Sequence, residues 1–94
     1  KLALTEDTSI IKPYNEDSWA KQADCKLPID SSIRILDGLH ARWAFLLSEL
    51  KEDDLKKEFT NPESNRTINI ETAIGIYAWH CNHHLAHVIN AKKV

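Results

Sequence analysis

The sequence predicts an all-α fold, because two stretches carry apolar residues at helical spacing and the segments between them are polar. In residues 28–51 the apolar positions recur at alternating intervals of four and three, which is the pattern of one face of an α-helix. Residues 70–91 form the second long helix, and Asn69 before them is a favoured N-terminal capping residue. A chain of 94 residues is expected to form a single domain, residues 1–94.

The N-terminal half is predicted to contain short elements before the first long helix. Residues 1–5 are helix formers and resemble the last turn of a helix. Asp, Ser, Pro and Asn in residues 7–18 predict an extended loop, and the sequence EDSWAKQA then predicts about two helical turns. Pro28 stands where the first position of a helix tolerates proline, so the long helix is predicted to begin there.

The polar segment between the two long helices is predicted to contain a minimal hairpin. Phe59 and Ile68 are apolar flanks that can pair across it. The residues between them include two turn-forming dipeptides, Asn61-Pro62 and Ser64-Asn65. Asp53 and Asp54, earlier in the segment, predict a solvated acidic turn.

Composition excludes several classes of partner. With 12 basic and 14 acidic residues and no basic stripe, the chain offers no surface for nucleic acid or for an anionic membrane. No apolar run approaches the roughly 20 residues that span a bilayer, and the start of the sequence has no signal-peptide pattern. A soluble, cytoplasmic protein is expected. Cys25 and Cys81 form neither a CxxC pair nor a cysteine zinc site, so reduced thiols are expected.

Four of the five histidines lie within eight residues, in the stretch YAWHCNHHLAHVI: His80, His83, His84 and His87. At about 100° per residue these four histidines fall within an arc of about 100° on the last helix, and we call this side of the helix the histidine face. Imidazole nitrogen is a common ligand of zinc, nickel, copper and iron. Residues four apart on a helix are close enough to bind one ion, and this spacing allows either His80 with His84 or His83 with His87.

A single histidine on a helix is usually a polar packing residue, but the clustering favours metal binding here. Ala73 and Ile76 lie on or beside the histidine face, which predicts that this face looks into the packed interior. Several buried imidazoles need polar partners, and a metal ion supplies them. Cys81 lies about 100° around the helix from His80 and is predicted to be a core residue. His40 lies on the apolar seam of the preceding helix, where packing or hydrogen bonding to a metal ligand is expected.

Three segments resemble the C-terminal portion of the YfiT-like bacillithiol transferase group of the DinB superfamily, often labelled metal-dependent hydrolases. They are KLALTEDTSIIKPYNEDSWA, LDGLHARWAFLLSEL and FTNPESNRTINIETAIGIYAWHCNHHLAHV. The connector LTED…KPY…W, the HxRW of the long helix, the PES…R turn and YAWHxxHHxAH follow in the same order and cover nearly the whole chain. The resemblance implies the C-terminal half of a DinB-like four-helix bundle, with two long helices plus short helical and hairpin connectors.

The resemblance also implies a divalent metal ion, nickel or zinc, held by three histidines, two of them on the last helix. Carried over residue by residue, the metal ligands are His83 and His87, while His80 and His40 are polar neighbours of the site. A shift of register would instead select His80 and His84. In the family the third ligand comes from the second helix, in a part that precedes KLALTED and is absent from this sequence. No catalytic residue is assigned.

Three functions follow as expectations from this resemblance. The first is a metal-dependent thiol S-transferase, in which the ion activates a small-molecule thiol such as bacillithiol for attack on an electrophile. The second is a hydrolase in which the ion activates water. The third is a truncated, non-catalytic helical module that binds metal or dimerises.

A homodimer is the expected assembly. Two amphipathic helices cannot bury all their apolar faces against each other, and Trp43, Leu47, Ile76 and Val88 would form an exposed patch. Two copies would provide four long helices around a two-fold axis and could bring a histidine of one chain to His83 and His87 of the other. The competing expectation is a nicked protein whose missing helices come from another polypeptide.

Overall fold

The computed structural model describes residues 1–7 and 9–93 and shows a helical chain with one small sheet. In chain order the elements are α1 (Leu2–Thr5), α2 (Glu16–Trp19), a 3-10 helix (Ala23–Lys26), α3 (Asp30–Ser48), α4 (Glu52–Leu55), β1 (Glu58–Asn61), β2 (Arg66–Asn69) and α5 (Ile70–Ala91). The all-α prediction is therefore approximate, since β1 and β2 pair in a two-stranded sheet. The chain divides into two compact units, Lys1–Ile11 with Glu52–Val94 and Lys12–Lys51.

The unit Lys12–Lys51 contains α2, the 3-10 helix and α3. The two helical turns predicted for the sequence EDSWAKQA are found only in part. The helix α2 ends at Trp19, and a separate 3-10 helix begins at Ala23. The side chain of Asn15 caps α2 by accepting a hydrogen bond from the amide of Ser18 at 3.0 Å. The rings of Tyr14 and Trp19 contact each other at a centroid distance of 4.9 Å.

Helix α3 is shorter at both ends than the predicted range 28–51. It begins at Asp30, so Pro28 precedes the helix instead of occupying its first position. The carboxylate of Asp30 is favourable in the first turn, because the amide groups at a helix N-terminus carry partial positive charge. The helix ends at Ser48, whose hydroxyl donates to the carbonyl of Phe45 at 2.7 Å.

In the other unit, the predicted hairpin is confirmed, with Phe59 opposite Ile68 in the antiparallel register of β1 and β2. The turn between the strands uses Asn65 with φ 53°, a left-handed conformation that asparagine adopts more readily than most residues. The side chain of Asn61 accepts a hydrogen bond from the amide of Glu63 at 3.0 Å and supports the same turn.

The N-terminal segment also pairs with this sheet through backbone hydrogen bonds to β1. Ile10 forms a parallel bridge with Thr60, whose amide donates to the carbonyl of Ser9 at 2.7 Å. The amide of Ile11 donates in turn to the carbonyl of Thr60 at 3.0 Å. The sequence predicted only a loop here, because a single bridge leaves no alternating pattern. Thr8, which belongs to the same predicted loop, lies outside the described residues.

The start of α5 supplies the core of this unit. Ile70 and Ala73 are buried, at 9% and 8% exposure, where α5 packs against β2 and α4. The predicted acidic turn forms the single helical turn α4, and its Asp54 pairs with Lys57, which follows the helix, at 3.0 Å. Nowhere in residues 1–7 and 9–93 does a helix combine the length and the apolar character needed to cross a membrane.

Replacing Asn69 with alanine is expected to destabilise this unit by about 1 kcal/mol. Its side chain accepts a hydrogen bond from the amide of Thr72 at 2.8 Å and so caps α5. Urea unfolding followed by circular dichroism measures the change. Asn82→Ala is the matched control, because Asn82 is exposed in the middle of the same helix and alanine favours helix there. Equal stability of the two variants would contradict the capping role.

Candidate metal centre

The four clustered histidines lie on α5, and all four side chains are exposed. The predicted interior location of the histidine face is therefore wrong in this structure. The buried residues of α5 are Ile70 and Ala73, both in its first turn, so β2 and α4 cover only the beginning of the helix. Cys81 is exposed as well, which contradicts its predicted place in the core. Cys25 is likewise exposed and free.

His80 and His84 bring two ring nitrogens within hydrogen-bond distance. Their Nε2 atoms lie 2.9 Å apart, and the ring centroids are separated by 4.5 Å at an interplanar angle of 77°. The nitrogen distance permits a hydrogen bond in which one ring donates N–H and the other accepts it. Two imidazole nitrogens bound to one ion at about 2.0–2.1 Å would lie about 2.9–3.4 Å apart for octahedral to tetrahedral angles. The 2.9 Å separation of the two nitrogens thus falls within the range for two ligands of one divalent ion.

His83 and His87 form the second pair. Their ring centroids are 4.4 Å apart, with an interplanar angle of 59°. The indole of Trp79 stacks on the ring of His83 at 4.9 Å and 16°. Sequence reasoning did not single out Trp79, although the spacing of four residues to His83 would have predicted the contact. The stacked indole restrains the orientation of His83.

The two pairs adjoin each other on one surface of α5. His84 lies 6.0 Å from His83 and 5.9 Å from His87, measured between ring centroids. Within residues 1–7 and 9–93, no three His, Cys, Asp or Glu side chains are arranged to hold a metal ion together. Among the described residues, the histidine face thus offers two pairs of potential ligands, His80 with His84 and His83 with His87, and no group of three.

His40 lies on α3, in the other unit, and is exposed. Its ring centroid is 6.4 Å from that of Trp43, at an angle of 50°. Trp43 is half-buried. The role of His40 as a polar neighbour of the metal ligands stays a prediction.

A sequence model of the DinB superfamily matches residues 2–88. The chain belongs to the DinB superfamily. It is 50% identical over 93 residues to DinB relatives from Bacillus cereus (strain B4264) and Bacillus thuringiensis subsp. konkukian (strain 97-27), each named "Putative metal-dependent hydrolase". The match covers 99% of this chain and 53% of each relative. This DinB chain thus spans about half the length of the curated relatives it matches.

A solved DinB-like structure matches in fold as well. It is YfiT from Bacillus subtilis, described as a probable metal-dependent hydrolase with an unusual four-helix bundle topology. The TM-score is 0.86 and the sequence identity 39%, over 95% of this chain and 51% of YfiT. The resemblance found in the sequence motifs is confirmed, and the fold of this chain matches about half of the YfiT chain.

Proposed function

We propose that α5 holds a divalent metal ion, nickel or zinc, for metal-dependent chemistry on a small molecule. Support comes from DinB membership and from relatives named as metal-dependent hydrolases. The observation that carries the proposal is the 2.9 Å approach of two Nε2 atoms on one helix face. Imidazole binds such ions through a lone pair on neutral nitrogen.

Two pairs of histidines are candidates for the metal ligands. The sequence prediction assigns His83 and His87, with His80 as a polar neighbour. The geometry favours His80 with His84, because their coordinating atoms already face each other while the ring of His83 is stacked on Trp79. We propose His80 and His84 as the ligands and keep His83 with His87 as the competing assignment.

The proposed reaction is the transfer of a small-molecule thiol to an electrophile. A divalent ion, when bound, would lower the pKa of a thiol or of a water and so supply a nucleophile at neutral pH. The chain itself contributes the imidazoles that hold the ion. Their exposure leaves room for a thiol such as bacillithiol to approach. In the transfer, the sulfur forms a bond to the electrophilic carbon, the leaving group departs with its electron pair, and the thiol proton passes to solvent.

Hydrolysis is the second candidate, and the names of the relatives favour it. Water then replaces the thiol as the nucleophile. A non-catalytic metal-binding or dimerisation module is the third candidate.

We place the protein in the cytoplasm, where the exposed, free thiols of Cys25 and Cys81 would remain reduced.

The test is a product-resolved assay of the nickel-loaded and zinc-loaded chain with a thiol and a halogenated aromatic electrophile. We expect a thioether product above the uncatalysed rate, lost in His80→Ala and retained in His83→Ala. If the only product were hydroxylated, that result would contradict the transferase proposal and support the hydrolase proposal. A chain that retains metal but forms neither product would contradict both enzyme proposals and support the non-catalytic module.

A further inference from the structure

The connector that precedes α3 carries an open cavity that the proposed metal chemistry does not use. The cavity has a volume of about 780 Å³ and lies within the unit Lys12–Lys51. All of its lining residues fall within residues 14–25, so one short stretch of chain forms it. Small-molecule sites typically have volumes of about 300–1,000 Å³. This cavity therefore has the size to hold an organic ligand.

Two aromatic side chains line one part of the cavity. The rings of Tyr14 and Trp19 are inclined to each other by 53°, with their centroids 4.9 Å apart. Both rings are accessible, since Tyr14 is 57% exposed and Trp19 65%. The face of an aromatic ring carries partial negative charge and attracts a cation within about 6 Å of its centre. The aromatic pair therefore favours a positively charged ligand.

The charge of the lining has the matching sign. Among the described residues, those that line the cavity include two acidic ones, Glu16 and Asp24, and no lysine, arginine or histidine. Within the same part of the chain, neither carboxylate forms an ion pair with a basic side chain. The Oδ1 atom of Asp24 lies 4.0 Å from the Sγ atom of Cys25, which also lines the cavity. Two carboxylates without basic partners attract a cation to this site.

An organic cation suits the cavity better than a metal ion. In residues 1–7 and 9–93, no three His, Cys, Asp or Glu side chains are arranged to hold a metal ion, so the acidic residues and the thiol of the cavity do not form such a group. A quaternary ammonium group has no N–H to donate and is recognised by its charge and by aromatic faces. Those are the two features that the lining provides.

Local hydrogen bonds hold the residues of the cavity in place. The Nε2 of Gln22 donates to the carbonyl of Ser18 at 3.0 Å, and the Sγ of Cys25 donates to the carbonyl of Trp19 at 3.4 Å. Together with the capping hydrogen bond to Asn15, these contacts connect α2 with the 3-10 helix. A lining that is ordered before binding loses less conformational freedom when a ligand enters.

We propose that this cavity binds a small organic cation of the quaternary ammonium class. The rings of Tyr14 and Trp19 contact the methyl groups of the cation, and the carboxylates of Glu16 and Asp24 neutralise its charge. The histidines of α5 belong to the other unit of the chain, and binding of the organic cation does not need the proposed metal ion.

Titration of the metal-free, isotope-labelled chain with choline tests the proposal, with amide NMR shifts reporting both affinity and location. We expect saturable shifts centred on residues 14–25. The neutral alcohol in which carbon replaces the nitrogen of choline has the same shape and should bind at least about fivefold more weakly. Equal binding of the two compounds, shifts centred elsewhere, or no saturation with choline up to about 50 mM would overturn the proposal.

Trp19→Ala tests the aromatic contact and should weaken choline binding at least about fivefold. Trp79→Ala is the matched control, because it removes an indole of similar exposure, 62%, from α5 in the other unit. Its choline affinity should equal that of wild type. Equal affinities of the two variants would overturn the aromatic contact. If Trp19→Ala loses the helix α2, as judged from its amide shifts, the carboxylate variants decide the outcome.

Asp24→Asn tests the charge of the cavity and should weaken choline binding about twofold to fivefold, as expected for an exposed charge pair. Asp17→Asn is the matched control, since Asp17 lies on α2 but does not line the cavity. It should leave the affinity unchanged. Equal affinities of these two variants would show that the lining carboxylate does not bind the cation and would overturn the proposal.

Discussion

Replacing His80 and His84 together with alanine is expected to weaken nickel or zinc binding on the order of a thousandfold, about 4 kcal/mol. The Nε2 atoms of these residues face each other at 2.9 Å, so the double change removes both proposed ligands. Competition with a chromophoric chelator measures the dissociation constant. Both positions are exposed on a helix, where alanine has the highest helix propensity, so the fold should be retained. Circular dichroism checks that retention.

His83→Ala is the matched control, because it removes a neighbouring imidazole from the same surface. It should leave the metal affinity within about threefold of wild type, while His80→Ala alone should reduce it at least about tenfold. The opposite outcome, loss with His83→Ala and retention with His80→Ala, would reject the assignment to His80 and His84. It would support His83 and His87, the pair assigned from the sequence.

Replacing Ile70 with alanine is expected to destabilise the unit formed by Lys1–Ile11 and Glu52–Val94 by about 2–4 kcal/mol. Ile70 is one of two buried apolar residues among those the structure describes, and its amide donates to the carbonyl of Lys57 at 2.9 Å. Alanine removes the buried part of this side chain beyond Cβ and leaves the backbone hydrogen bond in place. Urea denaturation, followed by tryptophan fluorescence and circular dichroism, measures the free energy of unfolding.

Ile89→Ala provides the comparison for Ile70→Ala. The same methyl groups are removed from the same helix, but Ile89 is 47% exposed. We expect a change within about 0.5 kcal/mol, as for most surface substitutions. If Ile89→Ala destabilised the chain as much as Ile70→Ala, the buried start of α5 would not be the core of this unit.

The long helices could be predicted from sequence because their signals are local and repeated. The predicted last helix, 70–91, coincides with α5, since Asn69 is both the expected cap and the observed one. The hairpin was predictable for a related reason, because turn formers separate Phe59 from Ile68 and the two residues pair. Periodicity and capping act within a few residues and are therefore visible in a sequence.

Features that depend on contacts distant in sequence were not predictable. The bridge between Ile10 and Thr60 joins segments fifty residues apart, and the N-terminal segment carries no strand pattern. The exposure of the histidine face was also missed, because amphipathic spacing shows which residues share a face and not what covers it. For the ligand pair, the spacing of four residues allows both His80 with His84 and His83 with His87, so the sequence pattern alone does not select one pair.

Calorimetric titration of the metal-free, unmodified chain with Ni²⁺ or Zn²⁺ tests most directly whether the four clustered histidines of α5 bind a divalent ion. We predict saturable binding of one ion per chain with a dissociation constant of about 1 μM or lower, at least about 8 kcal/mol. The absence of saturable heat with either ion at concentrations up to about 1 mM would show that these histidines do not form a metal site.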